Sequence, residues 1–275
     1  MPILETGTNE ELRRAVQALA AAPPKVLAIA GGDGTIQHTL TALHGALGGN
    51  LPPIALLGGG ALDSLAGGLG GKGAAEDRLR RIAEALNGGG ELFTEERDTL
   101  LAAGKVGFRL GAGLPQRFLE EVYATGHPSR WTSAMLMARA LGSSAAGGNF
   151  ARRLYERLDV SVSVDNEDWP HLPLFGLLCS SVAEAGLGLR PFRRAVEQPG
   201  FFQVLGLTGR PLQFALELPR LMLGRPARRD RLLDSVAERV EIRGRSFRWF
   251  LDGEMQVSEG SLLVSPGPRV TLVHA

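Results

Sequence analysis

Residues 25–40 constrain this chain more than any other stretch. Lys25-Val26-Leu27-Ala28-Ile29-Ala30 runs straight into Gly31-Gly32-Asp33-Gly34-Thr35 and then Ile36-Gln37-His38-Thr39-Leu40. The apolar run predicts a parallel strand buried on both faces, the glycines a sharp turn with no Cβ in the way, and the remainder a helix. Main-chain N–H groups of such a loop, backed by the positive end of the helix, form an anion site that a phosphate can approach. Asp33 and Thr35 add a carboxylate and a hydroxyl beside it. An acid next to an anion site is unfavourable unless it holds a cation, bonds sugar hydroxyls or caps local amides. The loop therefore points to a metal-bound nucleotide or its ribose, or else to an Asp33 that serves its own turn.

Strand, glycine loop and helix then recur. Ile54-Ala55-Leu56-Leu57 is a second short buried strand, ending in Gly58-Gly59-Gly60-Ala61-Leu62-Asp63-Ser64-Leu65-Ala66. Two such units in one sheet place both glycine loops at the carboxyl ends of their strands, where open α/β sheets bind ligands. Gly58 to Gly60 either cradle an anion or let a helix pack close to the sheet. Helices are expected before and after: Asn9 to Ala22, with Asn9 as N-cap, and Glu76 to Leu86, with Leu79, Ile82, Ala83 and Leu86 on its apolar face.

Beyond Gly90 the pattern turns to strands, at Arg97–Ala103, Lys105–Leu110, Val160–Val164, Leu172–Val182 and Pro199–Leu205. Gln116–Thr125 and Thr132–Leu141 read as helices, and Gly142–Asn149 as a small-residue loop. Arg239–Ile242 and Phe247–Leu251 form a hairpin-like pair leading to Asp252-Gly253-Glu254, and Leu262–Val264 and Val270–Val273 close the chain. Pro211 to Leu223 is apolar and runs into Gly224-Arg225-Pro226-Ala227-Arg228-Arg229-Asp230-Arg231, with Arg190, Arg193, Arg194, Arg210 and Arg220 nearby. That basic, apolar-backed segment suits an anionic membrane surface, or equally a solvated charge run around a core helix.

Bulk properties narrow the classes. With 275 residues the chain has room for two domains. A net charge of +1 argues against a nucleic-acid binder, and the single cysteine, Cys179, excludes internal disulfides and cysteine metal cages. Cys179 reads as a small buried hydrophobe. No signal peptide and no apolar run long enough to span a bilayer is evident, so a cytoplasmic protein touching lipid only peripherally is expected.

Gly31-Gly32-Asp33-Gly34-Thr35 at a strand end resembles the nucleotide loop of diacylglycerol kinases, of sphingosine and ceramide kinases, and of NAD kinases, the first group most closely. The second loop resembles that family's Leu-Gly-Thr-x-Asn-Asp-x-Ala, with Gly60 at the glycine, Ala61 for threonine, Asp63 for asparagine and Ser64 for aspartate. Asp252-Gly253-Glu254 is the second anchor. The resemblance implies an α/β nucleotide-binding domain, Rossmann-like and NAD-kinase-like, over residues 1–95, to which a strand at 268–275 can return. A β-rich sandwich over 96–267 would hold the lipid substrate.

It further implies ATP and Mg2+ as cofactors, with nucleotide contacts from Gly31, Gly32, Asp33, Gly34, Thr35, Gly58, Gly59, Gly60, Asp63 and Ser64. Across an interdomain cleft, Asp252 would be the base and Glu254 the magnesium ligand. The chain departs from the family in three places: it lacks the earlier strand and glycine loop, Pro115 stands for an acid, and Pro199 and Gln203 replace two more. The implied reaction is transfer of the γ-phosphoryl of ATP to a diacylglycerol, sphingoid base or ceramide at an anionic membrane, with a homodimer left open. The departures keep a non-catalytic lipid- or nucleotide-binding relative in play. An NAD-kinase-type activity ranks below it, because that family's later Asn-Asp and Thr-Gly-Ser-Thr-Ala-Tyr motifs are absent.

Overall fold

The first glycine loop sits in a four-stranded sheet whose last member comes from the far end of the chain. The computed structural model describes residues 2–60, 64–70, 73–185, 189–222, 225 and 232–274. The chain divides into two units, Met1–Gly107 with Gly267–Ala275, and Phe108–Pro266.

The first unit begins with α1 (Asn9–Ala21), capped by Thr8 rather than by Asn9. Thr8 Oγ1 accepts from the Glu11 N–H while Glu11 reaches back to the Thr8 N–H, a capping box whose Ser/Thr-x-x-Glu spacing is present in the sequence. Then come β1 (Leu27–Gly31), α2 (Asp33–Leu47), β2 (Ile54–Gly59), α3 (Ser64–Leu69), α4 (Ala75–Leu86), β3 (Phe93–Arg97), β4 (Leu100–Ala102) and β5 (Lys105–Gly107). The last strand of the chain, β14 (Val270–His274), completes the sheet in the order β1-β2-β14-β3. β1 and β14 both run parallel to β2, and β3 is antiparallel to β14. Ile29, Ile54, Leu56 and Leu272 are fully buried, as strands covered on both faces must be. Thr41 ties α2 to the β4–β5 hairpin: its Oγ1 accepts from the Val106 N–H at 3.0 Å.

The second unit contains β6 (Arg109–Gly113), α5 (Leu114–Ala124), α6 (Arg130–Ala146), α7 (Asn149–Leu154), β7 (Ser161–Val164), β8 (Glu167–Asp168), β9 (Gly176–Ser180), β10 (Phe202–Leu207), α8 (Pro211–Met222), β11 (Leu232–Ala237), β12 (Val240–Leu251) and β13 (Glu254–Pro266). Its sheet is antiparallel, β11-β10-β9-β6-β12-β13, and forks at β12. One edge of β12 pairs with β13 along nearly its whole length, while the other is shared between β7 at Val240–Arg243 and β6 at Trp249–Leu251. Phe175, Phe192, Phe214, Leu205 and Leu221 form a core on one side, into which Met137 and Leu141 of α6 pack. The α/β unit and the β-rich unit agree with the expected fold class.

Several boundaries differ. Arg97–Ala103 is not one strand: Asp98 and Thr99 separate β3 from β4. Gly142–Asn149 is no loop, because α6 continues to Ala146 and ends on Gly147 in the left-handed region, and Asn149 already opens α7. Arg239–Ile242 and Phe247–Leu251 do not pair with each other; they belong to one strand, β12, and the hairpin partner is β13. Leu172–Val182 narrows to β9, since Pro173 cannot donate to a ladder. Cys179 is fully buried, and burial pushes its thiol far up, as befits a packing residue. Gly186–Gly188 lie outside the described residues.

Since Val270, Leu272 and Val273 are buried and bridge β2 to β3, the first unit depends on residues far away in sequence. Leu272→Ala should therefore cost about 2–5 kcal/mol in urea denaturation. A loss under about 1 kcal/mol would show that β14 is an optional edge.

Candidate functional site

The two glycine loops lie back to back. β1 and β2 are in parallel register, with Ala30 opposite Gly58 and Gly31 opposite Gly59, so both loops leave the sheet at the same end. A Cβ on Gly32 would stand 3.2 Å from the Gly60 Cα, and one on Gly31 would strike the Thr35 side chain at 2.7 Å. Glycine is needed here for close approach of two main chains. Gly32 is also the N-cap of α2, with no side-chain cap among the described residues, so the helix presents main-chain N–H groups at this end.

Asp33, at the first position of α2, accepts at Oδ1 from the Leu65 N–H at 2.9 Å. It thus caps the start of α3 and joins one loop to the other. The sequence offered two uses for this acid; the described contact is to a main-chain amide from the second loop, 32 residues on. Gly34 is half-buried, and Thr35 is exposed with its carbonyl accepting from Thr39 Oγ1. Gly58 and Gly59 both have positive φ, at 80° and 140°. Ser64 opens α3, whereas Ala61 and Asp63 fall outside the described residues.

A residue the sequence reading passed over holds this arrangement. Arg78 of α4 is buried and donates to the carbonyls of Leu56 at 3.0 Å, of Gly70 and of Leu57. It clamps the end of β2 to the end of α3, the two ends of the second loop. Periodicity placed Leu79, Ile82, Ala83 and Leu86 on the core face of α4; Ile82 is buried there and Leu79 and Ala83 are half-buried, but Leu86 is 44% exposed and Arg78, four residues before Ile82, faces inward. The spacing to Ile82 was the available signal, and a charge at that position hid it.

In the second unit, Asp252-Gly253 is the two-residue turn of the β12–β13 hairpin. Both residues have positive φ, 46° and 97°, as a primed hairpin turn requires. Asp252 is 1% exposed. Its Oδ2 accepts from the Phe108 N–H at 2.7 Å and its Oδ1 from the Arg109 N–H at 3.0 Å, while its own N–H donates to the Arg109 carbonyl at 2.9 Å. The Arg109 guanidinium stands 3.6 Å from Oδ1. Glu254 is half-buried at the start of β13.

Two positions at which the resemblance implied acids make structural contacts. Pro115 sits in the first turn of α5, where a missing N–H costs nothing. Gln203 is buried in β10, its Oε1 accepting from the Arg194 N–H and its Nε2 donating to Asp234. Among the described residues no group of three acids, histidines or cysteines could hold a metal. At the turn Asp252 is held by two main-chain amides and Glu254 is the other acid, so the described residues do not assemble a metal site there.

Residues 1–90 match the family "Diacylglycerol kinase catalytic domain". The chain has the fold of a diacylglycerol kinase structure from Bacillus anthracis, with a TM-score of 0.67 at 14% identity over 99% of this chain and 84% of that one. A provisionally assigned diacylglycerol kinase of the same organism gives 0.71 at 15% identity, over 98% and 84%. Yeast NADH kinase in complex with NADH gives 0.50 at 13% identity, over 98% and 65%. No curated protein matches in sequence. The match over residues 1–90 and the shared fold bear out the resemblance to diacylglycerol kinases.

Two expectations follow from the contacts. Arg78→Met removes the guanidinium's bonds to three carbonyls and should lower stability by about 3 kcal/mol, at about 1 kcal/mol net per hydrogen bond; an unchanged urea midpoint would remove the clamp. Asp252→Asn sets an amide against one of two main-chain N–H donors, so a loss of about 1–3 kcal/mol is expected in the same measurement.

Proposed function

We propose that this chain is a phosphotransferase that binds ATP at the paired glycine loops and moves its γ-phosphoryl onto a lipid hydroxyl, in the diacylglycerol, sphingoid base or ceramide class. The observation that carries the reading is the back-to-back approach of Gly31-Gly32 and Gly59-Gly60 at the ends of parallel strands, within the segment that matches a kinase catalytic domain. Main-chain N–H groups and a helix N-terminus suit phosphates, and no Cβ keeps them away. Nucleotide-borne metal would enter with the substrate and neutralise phosphate charge.

In the reaction the acceptor oxygen bonds to the γ-phosphorus, the bond from that phosphorus to the bridging oxygen breaks, ADP leaves, and the hydroxyl proton needs an acceptor. We assign that proton to Asp252. Each carboxylate oxygen has a second acceptor position, so the amides of Phe108 and Arg109 orient the group without exhausting it. The same anchoring favours a second reading, in which Asp252 only holds the hairpin turn and the protein binds nucleotide or lipid without transfer.

Radiolabelled-phosphate transfer from ATP over a panel of these lipids separates the two. The proposal expects a labelled lipid, and expects Asp252→Asn, corrected for folded fraction, to lose at least about 100-fold in kcat with near-normal ATP affinity. A corrected kcat within a few-fold of the parent would leave Asp252 a turn residue. ATP binding by calorimetry with no labelled lipid would establish the non-catalytic reading.

A further inference from the structure

α6 is amphipathic in an unusual sense: both of its faces are largely apolar. Leu136 and Ala140 point into one core and Met137 and Leu141 into another, where they meet Phe214 and Leu221 of α8. Opposite them Trp131, Ala134, Met135 and Ala138 share an exposed face, with Trp131 at 78% and Met135 at 56% exposure. At 100° per residue this outer arc begins beside the flank, marked by Met137 and Leu141, that meets α8. On α8, Leu212 and Leu216 are likewise exposed, at 46% and 65%, one turn apart. Isolated exposed apolar side chains need no explanation, but here a tryptophan and a methionine one turn apart stand on a helix that packs against another with two exposed leucines one turn apart.

The charge carried by α6 and α7 has one sign. Between Arg130 and Leu154 the sequence holds four arginines, Arg130, Arg139, Arg152 and Arg153, and no acid. Arg130 and Arg139 are exposed on α6 itself, the latter over the Phe150 ring. Arg153 pairs with Glu121 and Arg220 with the buried Glu217. Two copies meeting through this face would oppose arginine to arginine, whereas phosphate headgroups would neutralise them. A tryptophan with an apolar body and one N–H suits the bilayer interface.

We infer that the outer faces of α6 and α8 form a docking surface for an anionic bilayer, with Trp131, Met135, Leu212 and Leu216 entering the interface and Arg130 and Arg139 meeting headgroup phosphates. This rests on, and refines, the reading of a lipid acceptor. It places much of the contact on α6, which the sequence reading left without a role, and not on Arg225–Arg231 alone; of those, only Arg225 is described.

Sedimentation with vesicles of phosphatidylcholine, alone and with phosphatidylglycerol admixed, tests it. The intact chain should partition onto anionic vesicles and weaken as salt rises. Trp131→Ser with Met135→Ser, and Leu212→Ser with Leu216→Ser, should each weaken partition about tenfold or more while leaving the melting temperature and transfer to a short-chain, water-dispersed acceptor unchanged. Equal partition of parent and variants, no partition, or a parent dimer that the α6 pair dissociates in sedimentation equilibrium would each overturn the inference. Vesicle binding without any phosphorylated lipid would overturn the kinase reading and uphold this one.

Discussion

The contact on which the first unit depends is main chain against main chain: Gly32 facing Gly60, with Gly31 and Gly59 in register beside them. It exists because β1 and β2 run parallel and end together, and because no side chain intervenes. Two elements keep it in place. Asp33 bonds the amide of Leu65, so the first helix of one loop caps the helix of the other. Arg78 gathers the carbonyls of Leu56, Leu57 and Gly70. A backbone cradle is useful to a phosphate only if its amides are already aimed, and these two side chains do the aiming.

In the second unit, β12 takes the corresponding part. It is long enough to be paired on one edge by β13 and shared on the other by β7 and β6, so the sheet can fork without leaving that edge bare. Its turn is fastened by Asp252, whose carboxylate reaches the amides at the start of β6. A buried carboxylate with main-chain donors on both oxygens is costly to place and strongly oriented once placed. That is compatible with a base and sufficient for a structural anchor. At two positions where the resemblance implied acids, the chain makes packing contacts: Pro115 opens a helix, and Gln203 ties β10 to Asp234 and to the Arg194 amide.

No described helix is long and apolar enough to cross a membrane. Exposed apolar side chains are scattered over both units, and on α6 and α8 they recur one turn apart, as Trp131 with Met135 and Leu212 with Leu216.

Much of this was legible in the sequence because it is local. The apolar run at Val26–Ala30, the glycines that follow and their repetition at Gly58–Gly60 report a strand–loop–helix unit whatever the rest of the chain does. What the sequence could not carry is non-local pairing. It did not show that Asp33 would cap Leu65, that Arg78 would turn inward, or that β12 would run unbroken from Val240 to Leu251 and pair with residues beyond the turn. Each of these is decided by which partner is nearest in space. A buried charge or a long strand becomes favourable only when main-chain groups distant along the chain are brought within hydrogen-bond reach, and only the tertiary structure brings them there.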